Sequence, residues 1–433
     1  MKYYIETYGC QMNVYDTGKM AELLKANLYS ETERPEEADV ILVNTCSVRE
    51  HAEQRALARI RELGLVSGST NAVLAVCGCM AQRFGRELLN IQGVDLVMGP
   101  DSYSGLIDGL ARCSANATRV VDTSRKPGFR FEPSASGERP GLRAFVSIMK
   151  GCSNLCSFCI VPSVRGPAVS RPPEEVLAEV RSLTESGVRD VTLIGQNVNA
   201  YVGSDVDFAA LLGAVSDAAG EARVRFTTSH PKDMSPSVFR VMVEKQNVCE
   251  HIHLPLQSGS DRILERMRRG YTRADYRKLV QEARSLIPGV SITTDIIVGF
   301  PGETRQDFGE TCAFVEECGF DSAFMFKYSP RPGTEAASMA DDVPREEKER
   351  RLSELISLQR RVSFRRSSEL VGQTLEVLVE EEKLKGDSLL LSGRTRCNRI
   401  VLFEGPRDLV GGFSRVSVLS TKGVSLLGML SGN

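Results

Sequence analysis

Three cysteines fall within the eight residues CSNLCSFC: Cys152, Cys156 and Cys159. Thiolates this closely spaced hold zinc or an iron–sulfur cluster, and such sites ordinarily take four ligands. This run stops at three. An iron left with an open coordination position can bind and activate a further molecule. The alternative is half of a zinc knuckle completed from elsewhere. The chain has four histidines, His51, His230, His251 and His253, and none follows at knuckle spacing. A second, dispersed set has the same number. Cys10 in ETYGCQMN, Cys46 in NTCSVRE and Cys79 in CGCMAQR each follow a strand-like run, with Cys77 as the rival to Cys79.

The elements that must position these thiols are legible in the hydrophobic pattern. Across residues 1–120, KYYIET, ADVILVNTC, AVLAVCGC and VDLVMG read as strands separated by helices. Alternation of that kind predicts a parallel-sheet, Rossmann- or flavodoxin-like α/β domain. Ligand sites in such sheets lie beyond the carboxyl ends of the strands, so one crevice can collect Cys10, Cys46 and Cys79. Residues 121–141, rich in Pro, Gly and Ser, read as a linker. From 142 to 367 six further strands alternate with helices, which predicts a partial (β/α)6 barrel. The run CSNLCSFC follows its first strand. Residues 368–433 show short alternating strands with Gly turns, which predicts a small antiparallel, OB-like barrel.

Composition bounds the class. The 433 residues suit two or three domains, and 42% apolar content can give each a core. The formal net charge of −2 means that any nucleic-acid contact must come from local patches. MKYYIETYGC lacks the basic and apolar regions of a signal peptide, and no apolar run approaches the ~20 residues of a membrane span. A cytoplasmic protein without a membrane segment is expected. Its twelve cysteines then serve metals or packing rather than disulfides.

C-x3-C-x2-C with an aromatic, Phe158, before the last cysteine resembles the radical S-adenosylmethionine enzymes. CSFCIVPSVRGPAVSRPPEEV, LIGQNVNAY, LPLQSGSDRILERMRRGYTR, TDIIVGFPGET and KYSPRPGT are similar to its methylthiotransferase family, as are the three N-terminal cysteine motifs. The C-terminal segment is similar to the TRAM domain, an RNA-binding module. The resemblance covers nearly the whole chain. It implies that Cys152, Cys156 and Cys159 hold a [4Fe–4S] cluster whose open iron binds S-adenosyl-L-methionine. Reductive cleavage then yields a radical that abstracts a substrate hydrogen. It further implies an auxiliary [4Fe–4S] cluster on Cys10, Cys46 and Cys79 that carries the sulfur, with no protein acid–base pair required. An aromatic is common in the family where Ser163 stands, and a basic–acidic pair where Pro167 and Ala168 stand. Those departures bear on substrate contacts.

Cofactor contacts are expected from Phe158, Gln196, Asn197, Ser229, His230, Gln257, Asp295 and Gly299, which lie in the cluster loop or at barrel strands. Turn chemistry explains Gly299 equally well, and a structural hydrogen bond explains His230. RNA phosphate contacts are expected from Arg268, Arg269 and Arg273, from Arg394, Arg396 and Arg399, and from the basic helix bearing Arg360, Arg361, Arg365 and Arg366. The resemblance implies a monomer acting on a tRNA anticodon stem-loop, with a flavodoxin- or ferredoxin-type electron donor and a sulfur donor. ETYGCQMN resembles the branch that methylthiolates N6-isopentenyladenosine at position 37. Branches acting on N6-threonylcarbamoyladenosine or on a ribosomal-protein aspartate are alternatives. So is a non-catalytic zinc- or cluster-bearing RNA-binding protein.

Overall fold

The computed structural model describes residues 1–431 except 49, 117, 126–140 and 386–387. Strands β1 (Lys2–Tyr8), β2 (Ser30–Glu31), β3 (Val40–Thr45), β4 (Val73–Gly78), β5 (Val94–Met98) and β6 (Val120–Asp122) form a parallel sheet in the order β2-β1-β3-β4-β5-β6. Every residue of β3 and β4 is buried, because helices cover both faces. On one face, α1 (Gln11–Ala26) and α4 (Leu106–Asn116) lay Met20, Leu24, Leu106 and Leu110 over Tyr3, Leu42 and Ala75. On the other, α2 (Glu50–Thr70) and α3 (Cys79–Phe84) cover Ile41, Val43 and Val76 with Ile60, Leu63 and Met80. Strands β2 and β6 are additions to the sequence reading. They are two and three residues long, too short for a periodic signal. Strand β6 also carries the sheet to Asp122, into the expected linker. Most of the remaining linker lies outside the described residues.

The second unit contains β7 (Arg143–Ser147), β8 (Met149–Lys150) paired antiparallel with β9 (Val169–Ser170), β10 (Asp190–Ile194), the hairpin β11 (Val202–Gly203) and β12 (Val206–Asp207), β13 (Arg223–Phe226), β14 (His251–His253), β15 (Ser291–Val298) and β16 (Ser322–Lys327). Parallel sets β7-β10-β13 and β14-β15-β16 are joined by a Val224–Val248 bridge. The six expected strands therefore curve into a partial barrel. Helix α5 (Val161–Arg165) follows the cysteine loop. Helices α6 (Pro173–Glu185), α7 (Phe208–Ala219), α8 (Pro236–Glu244), α9 (Asp261–Arg266), α10 (Arg273–Leu286) and α11 (Arg305–Cys318) follow, and α12 (Arg345–Ser368) packs Leu355, Leu358 and Val362 into the barrel's main core.

The N-terminal unit touches both ends of this curved sheet. The Ser147 hydroxyl in β7 meets Met12, and Arg331, beyond β16, donates to the Val48 carbonyl. Strands β17 (Thr374–Lys385), β18 (Ser388–Thr395), β19 (Ile400–Glu404), β20 (Phe413–Lys422) and β21 (Ser425–Leu430) close the third unit in the order β17-β18-β19-β21-β20. Its pairs are antiparallel except β19-β21, which is parallel. No helix among the described residues is long and apolar enough to cross a membrane.

Candidate cluster sites and cofactor rim

Sheet register assembles the dispersed triad. Tyr8 pairs with Thr45, and Thr45 with Gly78, so three adjacent strands end on one rung. Cys10, Cys46 and Cys79 follow within two residues. Gly78 turns the chain at φ +95°, where a Cβ would strike the Thr45 carbonyl and the Asn44 side chain. Cys79 then opens α3, and Cys10 is the N-cap of α1, its N–H donating to Asn13 Oδ1 at 3.2 Å. A hydrogen bond with Cys46 holds the Cys10 thiol below the usual cysteine range, with Arg165 and nearby N–H groups assisting and burial opposing. The same bond, with burial, raises Cys46. Arg165 Nε donates to Cys79 Sγ at 3.1 Å, and its terminal nitrogen to Asp16 Oδ2 at 2.6 Å. Cys77 points away, into the core with Tyr3, Met20 and Leu42. The placement favours Cys79 as the third member.

The local triad lies beyond β7 and β8. Gly151, at φ +73°, is pressed against the Pro167 carbonyl, leaving no room for a Cβ. Its N–H donates to Gln196 Oε1 at 2.5 Å, so Gln196 anchors the loop. Arg269 donates to Cys156 Sγ at 3.2 Å, and also to Tyr271 and the Pro255 carbonyl. His230 Nδ1 accepts from the Lys232 N–H, which leaves the proton on Nε2, 3.9 Å from Cys156 Sγ. Burial, then Arg269, lowers His230 to about 3, so its imidazole is neutral at physiological pH. Burial raises Cys159 to about 12. Thiols raised this way need a cationic partner to ionise, and iron supplies one.

Among the described residues, no three Cys, His, Asp or Glu side chains converge closely enough to chelate one metal ion. Ligands of a polynuclear cluster each reach a separate iron and stand further apart. Beside the local triad, Asn197 Oδ1, Ser229 Oγ and Gln257 Oε1 are buried without hydrogen-bond partners. They lie beyond β10, β13 and β14, on the cysteine rim. Buried orphans of this kind fit a polar cofactor. The amide of Asn197 donates to Asp233 Oδ2 at 2.7 Å, as does Asn154 of the cysteine loop at 3.2 Å. Asp233 thus joins loop to rim, a role its place in HPKD did not signal.

Other expected contacts are placed differently. Gly299 is engaged structurally: its N–H donates to Glu303 Oε2 at 2.5 Å, and the Lys348 side chain covers its α-carbon. Asp295 is paired with His253 at 3.3 Å, within β15. Phe158 meets Phe300 edge-on at 6.5 Å.

A radical SAM superfamily pattern matches residues 146–315, an uncharacterised family designated UPF0004 matches 2–99, and a TRAM domain matches 368–430. The tRNA-2-methylthio-N(6)-dimethylallyladenosine synthase of Syntrophomonas wolfei is 45% identical, over 99% of this chain and 97% of its own. That of Carboxydothermus hydrogenoformans is 44% identical over 99% of each. The chain belongs to the tRNA-2-methylthio-N(6)-dimethylallyladenosine synthase family. The radical S-adenosylmethionine methyltransferase TsrM from Kitasatospora setae shares the fold, with TM-score 0.57 at 15% identity over 78% of this chain and 77% of its own.

In this family member most of the expected RNA-contacting arginines are occupied. Arg269 is buried on Cys156. Arg396 grips Glu250 at 2.6 Å and the Val248 carbonyl at 2.8 Å. Arg399 is buried between Asp321 and Ser367. Arg394 pairs with Glu380 at 3.3 Å, and its carbonyl accepts from Arg223 at 2.7 Å. Carbonyls of Thr395 and Arg396 accept from Arg225, and Cys397 donates to the Gly289 carbonyl. Arg223 and Arg225 lie in β13, and Val248, Glu250, Gly289 and Asp321 lie just before β14, β15 and β16. The segment GRTRCNR therefore plugs the barrel floor, opposite the cysteine rim. Charge alone could not separate such a plug from an RNA patch. Arg268 pairs with Glu335 at 2.7 Å, and Arg273 lies over the Phe314 ring. Arg360, Arg361 and Arg365 are exposed on α12 beside the exposed Phe364.

Proposed function

We propose that this radical SAM methylthiotransferase converts N6-isopentenyladenosine at position 37 of tRNA into its 2-methylthio derivative. The observation that carries the reading is the meeting of two three-cysteine sites at one seam, each with a buried arginine on a thiol. Full-length relatives named for this product support the substrate.

Cys152, Cys156 and Cys159 would hold the cluster that binds S-adenosyl-L-methionine, and Cys10, Cys46 and Cys79 the auxiliary cluster. Bound, these groups supply the electron, the hydrogen-abstracting radical and the sulfur. The remaining tasks fall to the chain. Gln196 and Asp233 hold the cysteine loop. Asn197, Ser229 and Gln257 offer unpaired polar atoms to the cofactor. The N-terminal unit covers the barrel's open side, and the segment GRTRCNR seals its floor. The exposed Arg360, Arg361 and Arg365, with Phe364, suit phosphate contact and base stacking. Position 37 lies in a single-stranded loop, from which a base can be splayed into a pocket. The chain acts in the cytoplasm as a monomer, fed by an electron donor and a sulfur donor.

Nucleoside mass spectrometry of tRNA from cells with and without this protein tests the reading. The 2-methylthio derivative should disappear, and N6-isopentenyladenosine should accumulate. Accumulation of unmodified N6-threonylcarbamoyladenosine instead would overturn the substrate assignment.

A further inference from the structure

We propose that Arg165 is a positioning residue that holds the auxiliary site in register with the cofactor-binding site and sets the auxiliary cluster's reduction potential. This rests on the two-cluster reading. Helix α5 begins two residues after Cys159 and ends at Arg165. One rigid turn thus leaves the cofactor-site cysteines and delivers a guanidinium to the other site. That guanidinium meets two ligand-bearing elements of the N-terminal unit: Cys79 Sγ at the start of α3, at 3.1 Å, and Asp16 at 2.6 Å on α1, whose N-cap is Cys10.

A second contact is independent of charge. Cys79 packs with Ile160 and Val164 of the α5 segment in a small buried cluster. Arg165 is 4% exposed, and a buried guanidinium is costly unless its partners are fixed. An ordinary inter-domain ion pair would need only Asp16. The Nε donor directed at sulfur is the additional feature.

A hydrogen bond to a cluster thiolate stabilises the reduced, more negative state and raises the potential of the one-electron couple. Removing Arg165 should therefore lower that potential. Removing the negative charge of Asp16 should raise it. A strut with only a mechanical role would produce no such opposed pair.

The test uses the full chain carrying Cys152→Ala, Cys156→Ala and Cys159→Ala, reconstituted anaerobically so that only the auxiliary cluster remains. Arg165→Gln, Arg165→Lys and Asp16→Asn are compared in this background by iron content and by redox titration followed by electron paramagnetic resonance. About four irons per chain are expected. Arg165→Gln should make the cluster about tenfold harder to reduce, ~59 mV lower. Arg165→Lys should recover part of the shift, and Asp16→Asn should shift the other way. In the six-cysteine protein, Arg165→Gln should weaken the magnetic interaction between the two reduced clusters. Equal potentials in all variants with the cluster present would overturn the role of Arg165 alone. Absence of iron from the background protein would overturn the two-cluster reading, and this role with it.

Discussion

The two cysteine sites reach the same count by different routes. Cys152, Cys156 and Cys159 share one loop, anchored through Gly151 to Gln196. Cys10, Cys46 and Cys79 follow three different strands and meet only because β1, β3 and β4 are neighbours in the right register. One site is encoded by local spacing, the other by a fold. Each has one buried arginine on one sulfur. The comparison teaches that a three-thiol set can be written into one loop or into the register of a sheet.

Breaking the local site should have the largest effect. Cys152→Ala with Cys156→Ala and Cys159→Ala should abolish S-adenosylmethionine cleavage and methylthiolation, while iron falls only from about eight to about four per chain. Iron analysis beside 5′-deoxyadenosine assay checks both. Gly78→Ala should break the register-built site selectively. An alanine at φ +95°, against the Thr45 carbonyl, should cost about 1–3 kcal/mol and lose the auxiliary irons first. Chemical denaturation and iron content would register this; loss of all iron would show that the sites are not separable.

The basic clusters sharpen the contrast further. Arg360→Ala, Arg361→Ala and Arg365→Ala together should lower the salt slope of tRNA binding by about 2. Arg396→Ala should leave that slope unchanged and destabilise the barrel floor by about 1–3 kcal/mol. Filter binding against salt distinguishes them. The smallest effect concerns His251, lowered to about 3 by burial and then by Arg225. The folded imidazole stays neutral where the unfolded one protonates, so this contribution to stability is present above pH ~6.5 and lost as pH falls towards 3. His251→Asn should flatten the acid limb of a denaturation–pH profile.

The fold class was legible in the sequence because apolar runs and turn glycines are local signals. Strand β6 was missed because three residues carry no period. Arg165 was noticed only as part of a run, since its partners, Asp16 and Cys79, are distant in sequence. Arg269, Arg396 and Arg399, expected at phosphate, stand on protein partners in Cys156, Glu250 and Asp321. An arginine facing phosphate and an arginine capping carbonyls or carboxylates look alike until burial is known.

The most direct test of divided labour is the protein carrying Cys10→Ala, Cys46→Ala and Cys79→Ala, given S-adenosylmethionine, reductant and isopentenylated tRNA. It should still form 5′-deoxyadenosine but yield no 2-methylthio nucleoside. Methylthiolated tRNA from this variant would contradict the account.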